Sequence, residues 1–161
     1  MKEYVITKNN CGIREIKETP NNIQNEDMLK GVFEVLIYMK EKFLLDIVDS
    51  ENAYVISFND CEFATGVYHI SKGDSYGCNV YNKELVTFLS LIGAHSFIVV
   101  HNHTKDILFP SQDDINNLES LETVANVIGV DLLGSYIITR SGYIEISNPE
   151  NVFDWEEVLC I

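Results

Sequence analysis

The sequence predicts an α/β fold, a mixed sheet flanked by helices in three layers, and three observations carry that expectation. Phe97-Ile98-Val99-Val100 is a short continuous apolar run of the kind a buried strand needs. Glu26 to Lys40 places Leu29, Val32, Phe33, Leu36, Ile37 and Met39 at helical spacing. Ser111 opens a second such segment, with Ile115, Leu118, Leu121, Ala125 and Ile128 on one face. Apolar strands interleaved with amphipathic helices bury their faces by stacking helices on both sides of a sheet.

Each element has its own local reason. Tyr4 to Thr7 and Gly12 to Lys17 alternate around Asn9-Asn10, which predicts an N-terminal hairpin over 4–17. Pro20-Asn21-Asn22 marks a loop, and Asn25 is the expected cap of the first helix. Phe43 to Val48 and Tyr54 to Phe58 flank Asp49-Ser50-Glu51-Asn52 and read as a second hairpin. Between Asn59 and Val80, Gly66, Gly73 and Gly77 alternate with Tyr68, His69 and Tyr76, which suggests an extended hairpin or flap. Lys83 to Ile92 is a helix, and the Ser111 helix ends at Gly129, where a left-handed C-terminal cap is expected. Leu132 to Thr139 and Tyr143 to Ser147 close the sheet through Ser141-Gly142. The tail from Pro149 to Ile161, with Phe153, Trp155, Val158 and Leu159, reads as a docked amphipathic turn or an oligomer contact. The expected organisation is one domain over 1–161 with its core at about 26–147.

Charge narrows the function. The 161 residues hold 11 basic and 25 acidic side chains, a formal charge of −14, which opposes contact with a phosphate backbone, and no cluster of Lys and Arg offsets it. Direct nucleic-acid binding is therefore not expected. Cys11, Cys61, Cys78 and Cys160 form no C-x-x-C pair and no secreted framework, so reduced thiols are the expectation. The first residues lack an apolar run of signal-peptide length, and no stretch suits a membrane span, which points to a cytoplasmic protein.

The chemistry concentrates at one junction. His101-Asn102-His103 ends the apolar strand, and side chains two apart on a strand share a face. Seven residues later, Ser111-Gln112-Asp113-Asp114 opens a helix with Asp114 in its first turn. Two imidazoles and a carboxylate supply the three protein ligands of a zinc site that keeps an open position. Each half has an ordinary reading as well: Ser111 and Asp114 match a capping box, and a His-x-His pair is often structural. Their joint placement at a strand end and a helix start favours the metal. The consecutive tripeptide His-Asn-His carries no nuclease signal, because nucleases named for those letters draw them from separated positions. Asn102 faces the other side of the strand and is expected to be structural.

At these residues the chain resembles the JAB/MPN (JAMM) metalloprotease family, whose motif is an upstream Glu, His-x-His, seven residues, Ser, two residues and Asp. Pro110-Ser111-Gln112-Asp113-Asp114, the stretch from Gly129 to Leu133, Ile137-Ile138 leading to Gly142-Tyr143-Ile144, and Tyr81-Asn82-Lys83-Glu84 resemble its RadC-like branch. The resemblance implies a cytidine-deaminase-like JAB/MPN fold and a zinc site made by His101, His103 and Asp114. It also implies hydrolysis of a peptide or isopeptide-linked protein, with Ser111 donating to the developing oxyanion. The family's glutamate stands at the start of a strand following the first long helix; Glu41-Lys42-Phe43 fits that register, making Glu41 the expected base and Glu62 its substitute. Glu41 also looks like a solvated helix-end charge between Lys40 and Lys42. Two other readings stay open: an accessory protein in DNA repair, recombination or mobile-element biology acting through protein partners, and a zinc-stabilised binding module without turnover. Thr104 replaces the usual Pro, and the 59–80 segment is longer than the compact RadC-like pattern.

Overall fold

The computed structural model describes residues 1–19, 28–72 and 82–158. Strands β1 (Lys2–Lys8) and β2 (Arg14–Glu18) precede helix α1 (Gly31–Phe43), then come β3 (Asn52–Phe58), β4 (Ala64–Lys72), α2 (Asn82–Ile92) and β5 (Ser96–Asn102). Helix α3 (Gln112–Ile128), β6 (Asp131–Ile138), β7 (Gly142–Glu145), β8 (Phe153–Asp154) and α4 (Trp155–Val158) complete the order. The described strands form one mixed sheet, β2-β1-β4-β3-β5-β6-β7-β8, in which β1–β4 and β5–β6 are the parallel pairs. This is the expected α/β arrangement, a mixed sheet flanked by helices.

Alternation along the strands decides what each face packs. Ile56, Ile98 and Val100 join Val35, Leu36 and Met39 of α1 on one face, together with Trp155 of the tail. Ala53, Val55, Phe97 and Val99 join Leu85, Phe88 and Leu89 of α2 and Leu121 and Ala125 of α3 on the other. Full burial of a Leu or Phe side chain stabilises by about 1.5–3 kcal/mol, so both faces contribute to holding β5 in place. β5 is buried along its whole length and ends where α3 begins.

Several expectations need correction. The predicted strand Phe43–Val48 is absent: α1 runs on to Phe43 and ends at Leu44 in the left-handed region (φ 54°), after which the Ile47 and Val48 N–H groups both bond the Leu44 carbonyl. Its apolar residues alternate because they form a helix end and a turn, with Leu45 tucked under α1. The first helix begins at Gly31 rather than Glu26, and the proposed Asn25 cap lies outside the described residues.

The 59–72 part of the supposed flap is instead a tight turn at Asn59–Phe63 followed by β4, an interior strand between β1 and β3. Gly66 serves packing, since a Cβ there would collide with Tyr4 and Ile92. Residues 73–80 of that segment, with Cys78, lie outside the described residues, as does Cys160. The N-terminal hairpin forms as predicted but also extends the sheet, β1 pairing in parallel with β4. The tail docks: the Trp155 indole N–H donates to the Thr139 carbonyl at 3.0 Å and the ring lies against Tyr143.

Candidate metal centre

The junction of β5 and α3 positions the cluster. Ser111 caps α3 as a capping box: its hydroxyl accepts from the Asp114 N–H, and its own N–H donates to Asp114 Oδ2 at 2.7 Å. The Ser111 hydroxyl also donates to Oδ2 at 2.6 Å, so Asp114 is turned back toward the strand end. His101 and His103 meet it there, with Nε2 of His101 3.1 Å from Oδ1 and Nε2 of His103 3.4 Å from Oδ2. The two Nε2 atoms are 3.3 Å apart. Zinc bonds of about 2.0–2.2 Å at tetrahedral angles place ligand atoms roughly 3.4 Å from one another. Here each histidine meets a different oxygen of Asp114, and one ligand atom from each residue lies within 4.8 Å of the others, close enough to hold an ion. Among the described residues this is the one group of three or more metal-ligating side chains close enough to hold an ion.

Supporting contacts fix the ligands. His103 Nδ1 lies 3.0 Å from the Ile107 carbonyl, which makes Nδ1 the protonated nitrogen and leaves the Nε2 lone pair for a metal. The loop supplying that carbonyl is tied to the β6–β7 turn, because Asp106 accepts from the Ser141 N–H at 3.0 Å and the Ser141 hydroxyl at 2.9 Å. Thr104 therefore lies in a loop held by hydrogen bonds rather than by a proline ring. Burial pushes the His103 pKa down, but bonding to Asp114 and Ile107 and the negative charges of Asp114 and Glu51 outweigh it and raise the value above that of an ordinary histidine. Burial pushes the Asp114 carboxyl up, yet the two histidines and Ser111 outweigh it and hold the group well below the usual carboxylate range.

The remaining expected residues are not brought in. Glu41 is exposed in the last turn of α1, which packs on the sheet face opposite His101, and it makes no hydrogen bond or ion pair among the described residues. Glu62 sits in the Asn59–Phe63 turn with φ 65°, at the far end of β3. His69 stacks on Tyr54, on the α1 face.

The carboxylate that does stand at the site is Glu51. Ala53 pairs with His101 in the antiparallel β3–β5 ladder, so continuing the register sets Glu51 opposite His103 and on the same face. Its charge acts on His103 accordingly. Glu51 is also the residue immediately before β3, the strand after the first long helix, next to the position the resemblance specified. The sequence signal for it was the run Asn52 to Phe58, which is the strand that Phe43–Val48 was mistaken for.

On the core side, Ala53, Val99, His101, Asp114, Leu121 and Ser135 close around a cavity of about 10 Å³, room for little more than a water. Anything larger must approach from outside.

Comparison with known proteins identifies the family. A family model described as RadC-like JAB domain matches residues 29–151. The chain is 28% identical over 141 residues to a UPF0758 protein of Clostridium tetani, covering 85% of this chain and 57% of that protein. It is 31% identical over 93 residues to a UPF0758 protein of Finegoldia magna (58% and 42%) and 29% identical over 120 residues to one of Clostridium novyi (74% and 49%). The chain thus spans about half the length of these curated relatives. With the matched region spanning from the residues before α1 to those before β8, and the His-x-His, Ser and Asp positions falling inside it, the chain belongs to the RadC-like JAB domain family.

Proposed function

We propose that this protein is a zinc-dependent metallopeptidase or isopeptidase-like hydrolase that cleaves an amide bond in a peptide or isopeptide-linked protein. The observation that carries the reading is the convergence of one ligand atom each from His101, His103 and Asp114 to within 4.8 Å of one another, with Glu51 on the same face of the sheet. Zinc held by these three residues supplies a Lewis acid that acidifies water and polarises a carbonyl. Glu51 takes the water's proton and returns it to the leaving amine. Ser111 orients Asp114, and because its N–H holds Oδ2 independently, its hydroxyl can turn outward to donate to the carbonyl oxygen as charge develops.

The test compares zinc content and hydrolysis of a peptide and isopeptide panel by the parent, Glu51→Gln and Glu41→Gln. The expected result is one zinc per chain in all three, with hydrolysis lowered about 10²–10⁴-fold by Glu51→Gln alone. A zinc-loaded parent that cleaves nothing in the panel would leave a metal-stabilised binding module as the better description.

A further inference from the structure

A second feature lies beside His103, on the outer side of the cluster. Asp46, Ile47 and Val48 of the turn after α1 face Thr104 and Asp106 of the metal-site loop and Arg140 of the β6–β7 turn across a cleft of about 160 Å³, with His103 as part of its wall. Sites for whole small-molecule ligands measure roughly 300–1,000 Å³, so this cleft takes one residue-sized group rather than a complete ligand.

The polar groups in the cleft are unequally satisfied. Asp46 is paired with Lys40 at 3.3 Å, and Asp106 is taken up by Ser141. Hydrogen bonds from Ser141 and Thr139 hold the Asp106 carboxyl below its ordinary value and the Arg140 charge adds to this, but Arg140 lies beyond ion-pair distance from it, and its side chain makes no hydrogen bond or salt bridge among the described residues. The Thr104 hydroxyl is likewise without a partner among them. The two acids are therefore neutralised or saturated in place, and what the cleft offers a ligand is an uncommitted guanidinium with a hydroxyl near it. A guanidinium presents a planar fork that matches a carboxylate through two parallel N–H bonds. In a chain of formal charge −14, a cationic group left free beside the cluster is positioned to hold one anionic group of a substrate.

We propose that Arg140 is a specificity-determining residue that binds a substrate carboxylate one residue from the scissile amide, either a free C-terminus or an Asp or Glu side chain. This rests on the hydrolase reading of the His101, His103 and Asp114 cluster. Ile47 and Val48 form the apolar wall against which the aliphatic part of that residue packs.

Binding and cleavage are measured on the same zinc-supplemented full chain with three probes: an acetyl-dialanine free acid, its C-terminal amide, and an acetyl-Ala-Asp amide. A charge-assisted hydrogen bond contributes about 1.5–3 kcal/mol, so at least one carboxylate probe should bind about tenfold or more tightly than the neutral amide. Which one does so identifies the source of the carboxylate. Arg140→Gln should erase the preference with zinc content unchanged, and Arg140→Lys should restore part of it. Equal binding of acids and amide by the parent, or a preference that survives Arg140→Gln, overturns the inference. A carboxylate preference without cleavage of longer peptides removes the hydrolase reading and supports Arg140 as an anion site. Cleavage of peptides indifferent to the carboxylate does the reverse.

Discussion

Asn102 grips the backbone on both sides of Glu51. Its side-chain oxygen accepts from the Asn52 N–H at 2.8 Å and its amide donates to the Ser50 carbonyl at 3.1 Å. The residue between His101 and His103 thus points to the opposite sheet face and sets where Glu51 stands. Asn102→Ala strands the buried Asn52 N–H, which costs about 1–3 kcal/mol. Zinc affinity should change little while turnover falls, a split read by comparing metal titration with steady-state rates. Loss of zinc in proportion to activity would mean that Asn102 acts on the ligands instead.

Asp114→Ala removes one of the three proposed zinc ligands and leaves His101 and His103 without their shared carboxylate. Binding that favours the folded state adds stability by mass action, about 2.7 kcal/mol at free metal near a hundred times Kd. The parent should therefore show a zinc-dependent rise in Tm that Asp114→Ala lacks. Calorimetry with and without a chelator measures it.

Asp106→Ala unties the metal-site loop from Ser141, and with it the Ile107 carbonyl that selects the His103 tautomer. Loss of such outer contacts typically costs about 10–100-fold in metal affinity. Competition against a zinc chelator should show that loss. Asp106→Asn, whose side-chain oxygen still accepts from Ser141, should recover most of it.

Tyr136 is buried on the α1 face of β6, and burial together with Glu145 raises its pKa from 10.0 to about 12. A phenol whose folded pKa exceeds its unfolded value favours the fold while protonated. Its contribution is complete below about pH 10 and is lost as pH rises toward about 12. Denaturant midpoints measured across that window should fall more steeply for the parent than for Tyr136→Phe.

How much of this was readable in the sequence follows from how local each signal is. The Ser111 cap, the Gly129 terminus and the i, i+2 pair of histidines depend on neighbours a few residues away, and the structure has each where the pattern places it. Glu51 depends on the pairing of β3 with β5, a contact between residues about fifty positions apart, and on knowing that α1 continues to Phe43. Short apolar runs such as Phe43–Val48 do not distinguish a strand from a helix end, and that ambiguity set the expected base on Glu41, in the last turn of α1, rather than on the proposed Glu51 beside β3. The parallel pairing of β1 with β4 was hidden because it joins residues far apart in the sequence, Lys2 with Gly66 among them.

Trp155 bonds to Thr139 through its ring and to the Ser141 carbonyl through its backbone, while Ser141 bonds to Asp106, whose neighbour Ile107 holds His103. Tail and ligand loop therefore share one short relay of contacts. Any coupling carried along that relay would be reciprocal: a ligand that tightened binding at His103 would strengthen the seating of β8 and α4 by the coupling free energy, and a molecule that displaced the tail would oppose metal binding at the proposed site without touching it.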